Sequence, residues 1–211
     1  HKSTEPISFN SETHQISILI DEKHDSEELI NSITNILELD ENPKYKEQKI
    51  LDKDWVEHTH QQFNVILVTN SLRIVPPWSI GSDFDGHTVI IEPGSGFGVG
   101  THPTTQLCLR WMEQNIVSGD SFLDFGSGSG VLSIFAKKLN CIKVEGIEID
   151  QKAIDNAKHN IKLNKVNIPF HRSEQNIIKD SFDNVVANIL SETLIDLSPK
   201  LRLLTKKRLA L

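Results

Sequence analysis

Residues 121–130, Ser-Phe-Leu-Asp-Phe-Gly-Ser-Gly-Ser-Gly, decide how the rest of the chain is read. An apolar run carrying Asp124 gives way to Gly126, Gly128 and Gly130, and a helical pattern starts at Val131. This is a strand–loop–helix junction, where a ligand can approach bare backbone at the carboxyl end of a parallel strand. The spacing is G-x-G-x-G. Val131 stands where a dinucleotide fingerprint has its third glycine, and no Lys-Ser/Thr pair marks a P-loop. The Asp124 carboxylate at the loop suits a ligand with a positive group, such as the amino-acid end of S-adenosylmethionine. Taken alone, the same spacing also fits an ordinary tight turn.

Outward from the loop, Val131, Leu132, Ile134, Phe135 and Leu139 keep helical spacing. Residues 144–149 then read as a second buried strand ending in Asp150. Glu148 lies about 20 residues beyond the glycines, where such folds place an acid that accepts from ribose hydroxyls. Asp150 reads chiefly as the cap of a helix starting near Gln151, and a capping role for Glu148 is the bland alternative.

The 211 residues are 37% apolar, enough for one medium domain and an appendage. Net charge is −7 and the longest basic run is Lys206-Lys207-Arg208, so direct nucleic-acid binding is not expected. Cys108 and Cys141 sit in apolar surroundings and read as reduced core residues of a cytoplasmic protein. No apolar stretch approaches the ~20 residues of a membrane span. Of the nine histidines, His58 and His60 form H-x-H but would diverge on a helix, with no third ligand nearby, so no metal site is expected. His1 has the look of a tag remnant.

Strand 15–20, a helix over 25–39 capped by Asp25 or Ser26, and a strand at 45–51 form a β-α-β piece too small for its own core. Residues 1–52 therefore either pack on the larger domain or form an incomplete α+β domain, and a connecting helix is expected within 53–62. Strand-like runs follow at 64–69, 72–75 and 88–91. Strands and helices then alternate: 121–125, 131–139, 143–149, 151–164, 166–170, 183–189 and 191–204. That alternation predicts an α/β, Rossmann-like parallel sheet across 63–211, covered on both faces. Arg208–Leu211 begins a further apolar strand, so the sheet is expected to continue and the chain reads as a fragment at both ends.

Residues 91–105, Ile-Glu-Pro-Gly-Ser-Gly-Phe-Gly-Val-Gly-Thr-His-Pro-Thr-Thr, form a second glycine-rich segment. By composition it is a mobile loop or flexible connector leading into a helix whose Leu107, Cys108, Trp111 and Met112 face a core. The segment closely resembles the F-G-x-G-x-H-P-T-T signature of the PrmA family of ribosomal protein L11 methyltransferases. Residues 124–130 are similar to that family's D-F-G-x-G-S-G, 146–150 to its G-I-D-I-D, and 185–190 to its V-V-A-N-I-L. Asp52-Lys-Asp-Trp55 is similar to its linker. The resemblance covers about residues 45–211, and the β-α-β order of residues 1–52 is similar to half of the family's substrate-recognition domain, which implies a partial recognition domain there.

It implies a class I methyltransferase fold and S-adenosylmethionine contacts at Thr105, Gly126, Gly128, Glu148 and Asn188. Glu148 replaces the usual aspartate, Ser127 a cysteine and Val99 a threonine. Asn188 would position the acceptor amine, unless it merely caps the helix after 190. His102 would assist proton removal, or only pin the loop. The implied reaction methylates lysine ε-amines and an N-terminal α-amine of a ribosomal large-subunit protein, with the enzyme a monomer. Two other readings stay open: a lysine methyltransferase for an electron-transfer flavoprotein subunit, and a silent adenosine- or ribosome-binding module.

Overall fold

The computed structural model describes residues 18, 20, 25–47, 63–81, 83–94, 96–172 and 180–211. The expected helix at 54–62 with His58 and His60, the segment 52–55, and most of the strands at 15–20 and 45–51 lie outside the described residues. The chain divides into two units, residues 1–52 and 53–211.

In the first unit, helix α1 spans Ser26–Ile36. Asp25, not Ser26, is its cap, accepting from the Glu27 N–H at 2.8 Å. The helix ends three residues before the expected boundary, because Leu37 is the C-cap and Glu38 turns to φ 51°.

The second unit contains two sheets. Strands β1 (Ile66–Thr69), β2 (Leu72–Val75) and β3 (His87–Ile90) form a small sheet, antiparallel between β1 and β2 and parallel between β2 and β3. After helix α2 (Pro103–Asn115) come β4 (Ser121–Phe125), α3 (Val131–Lys138), β5 (Lys143–Glu148), α4 (Gln151–Leu163), β6 (Phe170–Arg172), β7 (Phe182–Val186), α5 (Ser191–Leu204) and β8 (Thr205–Ala210). The larger sheet is wholly parallel, in the order β6-β5-β4-β7-β8. This is a Rossmann-like sheet, as the alternating pattern predicts.

Alternation along β4 separates its two faces. Phe122 joins one apolar cluster with Leu109 and Met112 of α2, Ile134 and Phe135 of α3, and Leu72, Ile74 and Val89 of the small sheet. Leu123 and Phe125 join another with Leu201 and Leu204 of α5. Strand order reverses beside β4, where the chain first builds outward through β5 and β6 and then returns to add β7. Open α/β sheets bind ligands in the crevice at such a reversal.

Three strand boundaries that bear on the site, and one helix face, differ from the sequence reading. β6 starts at Phe170, not 166, and Pro169 contributes only its carbonyl, accepting from Gly146 N–H at 3.0 Å. β7 ends at Val186, so Asn188 lies beyond the strand. β8 starts at Thr205, three residues early, where it pairs with Phe182 of β7, and Lys207 within it is held by Asp120 at 2.8 Å and Asp183 at 3.1 Å. In α2 the inward stripe is Thr105, Cys108, Leu109 and Met112, whereas Leu107 is 62% exposed. Position 107 lies about 200° around the helix from Thr105, the outer side.

Candidate functional site

Loop 126–130 leaves β4 at the reversal with Gly126, Gly128 and Gly130 at φ 79°, 49° and 81°. All five of its backbone amides are engaged within the protein. Gly126 and Ser127 donate to the Ile147 carbonyl at 2.8 and 2.9 Å, Ser129 to the Phe97 carbonyl at 2.8 Å, and Gly130 to the Ser127 carbonyl at 2.8 Å. Gly128 donates to Glu148 Oε2 at 2.8 Å. A phosphate cradle needs free N–H groups, and this loop has none to give. It keeps carbonyl acceptors, which suit a cationic ligand.

The second glycine segment is not a flexible connector but the wall against which this loop is built. Besides the Phe97–Ser129 bond, Ser129 Oγ donates to the Gly98 carbonyl at 2.9 Å. The backbones meet so closely that a Cβ at Gly128 would collide with the Phe97 carbonyl oxygen. Here glycine serves loop-to-loop packing as well as any ligand.

Asn156 and Asn160 of α4, and Asn164 at its C-cap, hold the segment from the other side. Asn164 accepts from Ile90 N–H at 2.9 Å and donates to its carbonyl at 2.6 Å. Asn160 accepts from Glu92 N–H at 2.9 Å and donates to the Ser129 carbonyl at 3.0 Å. Asn156 donates to the Glu92 carbonyl and accepts from Gly96 N–H, both at 3.3 Å. His159 adds a contact to the Glu92 carboxylate at 2.6 Å. The sequence reading missed these residues. Their signal was the i, i+4, i+8 repeat of asparagine, which puts three carboxamides on one helix face.

Asp124 is fully buried on the α3 side of the sheet. Its Oδ2 accepts from the Ser133 N–H at 3.0 Å and Oγ at 2.7 Å, in effect capping α3, whose own N-cap is Gly130. Among the described residues its Oδ1 has no hydrogen-bond partner, nor has the buried Ser127 Oγ. Burial pushes the Asp124 carboxyl up to about 6, against the Ser133 hydrogen bonds and with the help of the Glu148 charge. The expectation of a carboxylate open at the loop is therefore corrected: Asp124 is enclosed, one oxygen structural and the other unspent.

Glu148 ends β5 with its carboxylate fixed by three backbone N–H groups: Gly128 on Oε2, and Ile149 and Asp150 on Oε1 at 2.7 and 3.2 Å. The α4 cap is Asp150, which accepts from Lys152 N–H at 2.9 Å. Asn188 does not cap α5, whose N-cap Leu190 has no side-chain bond. It reaches across the crevice, and its Nδ2 donates to Thr105 Oγ1 at 3.4 Å. Thr105 is itself fully buried. His102 is the cap of α2, its Nδ1 accepting from the Thr104 N–H at 3.3 Å, with Phe97 edge-on at 5.4 Å. That geometry pins the loop.

Gly126 and Gly128 after β4, Glu148 at the end of β5 and Asn188 just beyond β7 thus lie at the carboxyl ends of neighbouring strands, with Thr105 bonded to Asn188. Their acceptors, the buried Asp124 Oδ1 and the enclosed glycine loop fit a ligand carrying an ammonium, a ribose and a sulfonium. Cys108 and Cys141 are free thiols that burial pushes up to about 11, which makes them poor nucleophiles. Among the described residues, no cluster of His, Cys, Asp or Glu suits a metal ion, and no helix is long and apolar enough to cross a membrane.

A family model described as ribosomal protein L11 methyltransferase (PrmA) matches residues 2–209. The chain is 37% identical over 190 residues to a ribosomal protein L11 methyltransferase of Cupriavidus metallidurans, covering 90% of this chain and 62% of that protein. It is 38% identical over 189 residues to one of Methylobacillus flagellatus, covering 88% and 62%. The crystal structure of a ribosomal protein L11 methylase from Lactobacillus delbrueckii subsp. bulgaricus superposes with a TM-score of 0.63 at 34% identity, over 68% of this chain and 76% of that one. The chain spans about 62% of the length of the curated relatives it matches. All three names refer to a ribosomal protein, and none to a flavoprotein subunit or a binding module.

Proposed function

Because the chain belongs to the ribosomal protein L11 methyltransferase family, we propose that the protein uses S-adenosyl-L-methionine to methylate amines of a ribosomal large-subunit protein, both lysine ε-amines and the N-terminal α-amine. When bound, the cofactor supplies a sulfonium methyl whose C–S bond breaks as the new C–N bond forms, with a proton leaving the amine. The observation that carries this reading is the loop whose five amides are all spent. It disfavours a dinucleotide pyrophosphate and favours a ligand with a cationic end.

Each residue then has a role set by its surroundings. Glu148, held by three N–H groups, keeps its remaining lone pairs in place for ribose hydroxyls. Asp124 puts negative potential beneath the loop, beside the ligand's ammonium. Asn188 spends its Nδ2 on Thr105, which leaves its Oδ1 as an acceptor aimed at the acceptor amine. A lysine amine, ordinarily near 10.4, must be neutral to attack, and desolvation together with repulsion by the sulfonium charge lowers its proton affinity. His102 secures the loop that carries Phe97 rather than acting as base. Methyl transfer of this kind asks mainly for linear approach and desolvation.

Calorimetry with S-adenosylhomocysteine and with NAD, followed by methyl incorporation into the ribosomal protein, tests the reading. Binding of S-adenosylhomocysteine without NAD is expected. Binding of NAD alone would overturn it.

A further inference from the structure

We infer that Asn160 is a positioning residue for the cofactor site, coupling the two glycine loops through its one carboxamide; the inference rests on the methyltransferase reading above. Along α4 the contacts run antiparallel to the chain they hold: Asn164 on Ile90, Asn160 on Glu92, Asn156 on Glu92 and Gly96. Four residues of helix rise about 6 Å and two residues of strand about 6.6 Å. The two lengths nearly match over the step from Asn164 to Asn160, so these carboxamides serve residues 90–92 as a neighbouring strand would. This rail sets where residues 92–96 enter the site.

Asn160 does something its neighbours on the rail do not. Among the described residues, the side-chain hydrogen bonds of Asn164 and Asn156 go to the segment 90–96 and their own helix. Asn160 is fully buried and joins Glu92 N–H to the Ser129 carbonyl. Ser129 also gives its N–H to the Phe97 carbonyl, so both faces of this residue's backbone are tied. Its neighbour Gly128 fixes Glu148 through Oε2. One carboxamide therefore sets the Ser129 backbone, the Phe97 turn and, through Gly128, the carboxylate that faces the ribose.

Asn160→Asp keeps an acceptor for Glu92 but turns a carboxylate oxygen onto the Ser129 carbonyl. Asn184→Ala is the control. Asn184 is equally buried, and its Nδ2 donates to Asp120 at 2.8 Å near the amino ends of β4 and β7, away from both loops. Asn156→Ala, at a partly exposed position, is the milder second variant should Asn160→Asp fold poorly. Thermal stability, amide exchange of residues 96–100 and 128–130 without ligand, and S-adenosylhomocysteine affinity are measured for each.

Asn160→Asp is expected to weaken binding about tenfold or more and to speed exchange in both loops together, and Asn156→Ala to do so to a lesser degree. Asn184→Ala is expected to lower stability while leaving affinity and loop exchange near wild type. Unchanged affinity in Asn160→Asp, or losses in all variants proportional to lost stability, would overturn the coupling. Failure of the wild-type protein to bind would sink the methyltransferase reading instead. The exchange data would then decide the coupling alone: joint loosening of both loops upholds it, and loosening of one alone refutes it.

Discussion

Asn188 Nδ2 lies 3.4 Å from Thr105 Oγ1, joining residues 83 positions apart across the mouth of the crevice. One follows β7 and the other belongs to the first turns of α2, and only the fold brings them together. If this pair orients the acceptor amine, Asn188→Ala should lower kcat/KM for methyl transfer by about 10²-fold, the scale of misplaced reacting groups. S-adenosylhomocysteine affinity should change much less. Thr105→Val should show the same pattern more weakly, because it leaves the carboxamide present but untethered. Steady-state kinetics alongside calorimetry separates the two effects, and equal losses in binding and turnover would assign the pair to the cofactor alone.

Gly128 is predicted to be intolerant of a side chain even without ligand. A Cβ there meets the Phe97 carbonyl, and φ is 49°. Gly119 has φ 93° with nothing within 4 Å of such an atom. Gly119→Ala should cost about 1–2 kcal/mol, from backbone conformation alone. Gly128→Ala should cost roughly 1–3 kcal/mol more, from displacement of the second loop. Urea unfolding of both variants gives the comparison.

Glu148→Gln removes a carboxylate that accepts from three N–H groups and replaces one oxygen with a donor. Stability without ligand should fall by about 1–3 kcal/mol, with a similar loss in binding free energy. A variant that loses affinity but not stability would show that the Gly128, Ile149 and Asp150 amides re-pair at no cost.

Asp124 predicts a pH dependence of defined sign. Its carboxyl is raised to about 6 in the fold from 3.8, so between about pH 4 and pH 6 the native state binds the extra proton. Its contribution to stability is therefore full below about pH 4 and is lost as pH rises through 6, amounting to about 3 kcal/mol. A cationic ligand favours the ionised form, so S-adenosylhomocysteine should bind more weakly as pH falls below about 6. Asp124→Asn should flatten both profiles. Chemical denaturation and calorimetry across pH 4–8 would measure them, and stability rising through pH 6 at wild-type Asp124 would contradict the assignment.

Much was legible in the chain itself. Apolar runs of four to six residues alternating with helical periods specify a parallel sheet, because only helices on both faces cover strands that are apolar on both sides. Glycine spacing marked the loop, and Glu148 and Asp150 were separable because one ends a strand and the other stands directly before a helix. These are local properties, read from neighbours in sequence.

Tertiary structure decided the rest, through contacts between segments remote in sequence. The glycine-rich segment 91–105 reads as a flexible connector by composition, yet Asn156, Asn160 and Ser129 order it from 31 to 68 residues away. Asp124 reads as an open carboxylate until α3 closes over it and Ser133 takes one of its oxygens. Asn188 can also be read as a helix cap until Thr105 comes within reach. Lys206 and Lys207 fall outside the strand read from Arg208 onward until pairing with β7 and the carboxylates of Asp120 and Asp183 bring them into β8. Periodicity reports which side of an element is apolar. A polar side chain's partner is set by which elements the closed fold makes neighbours, since a buried polar group must find its hydrogen bond wherever packing supplies one.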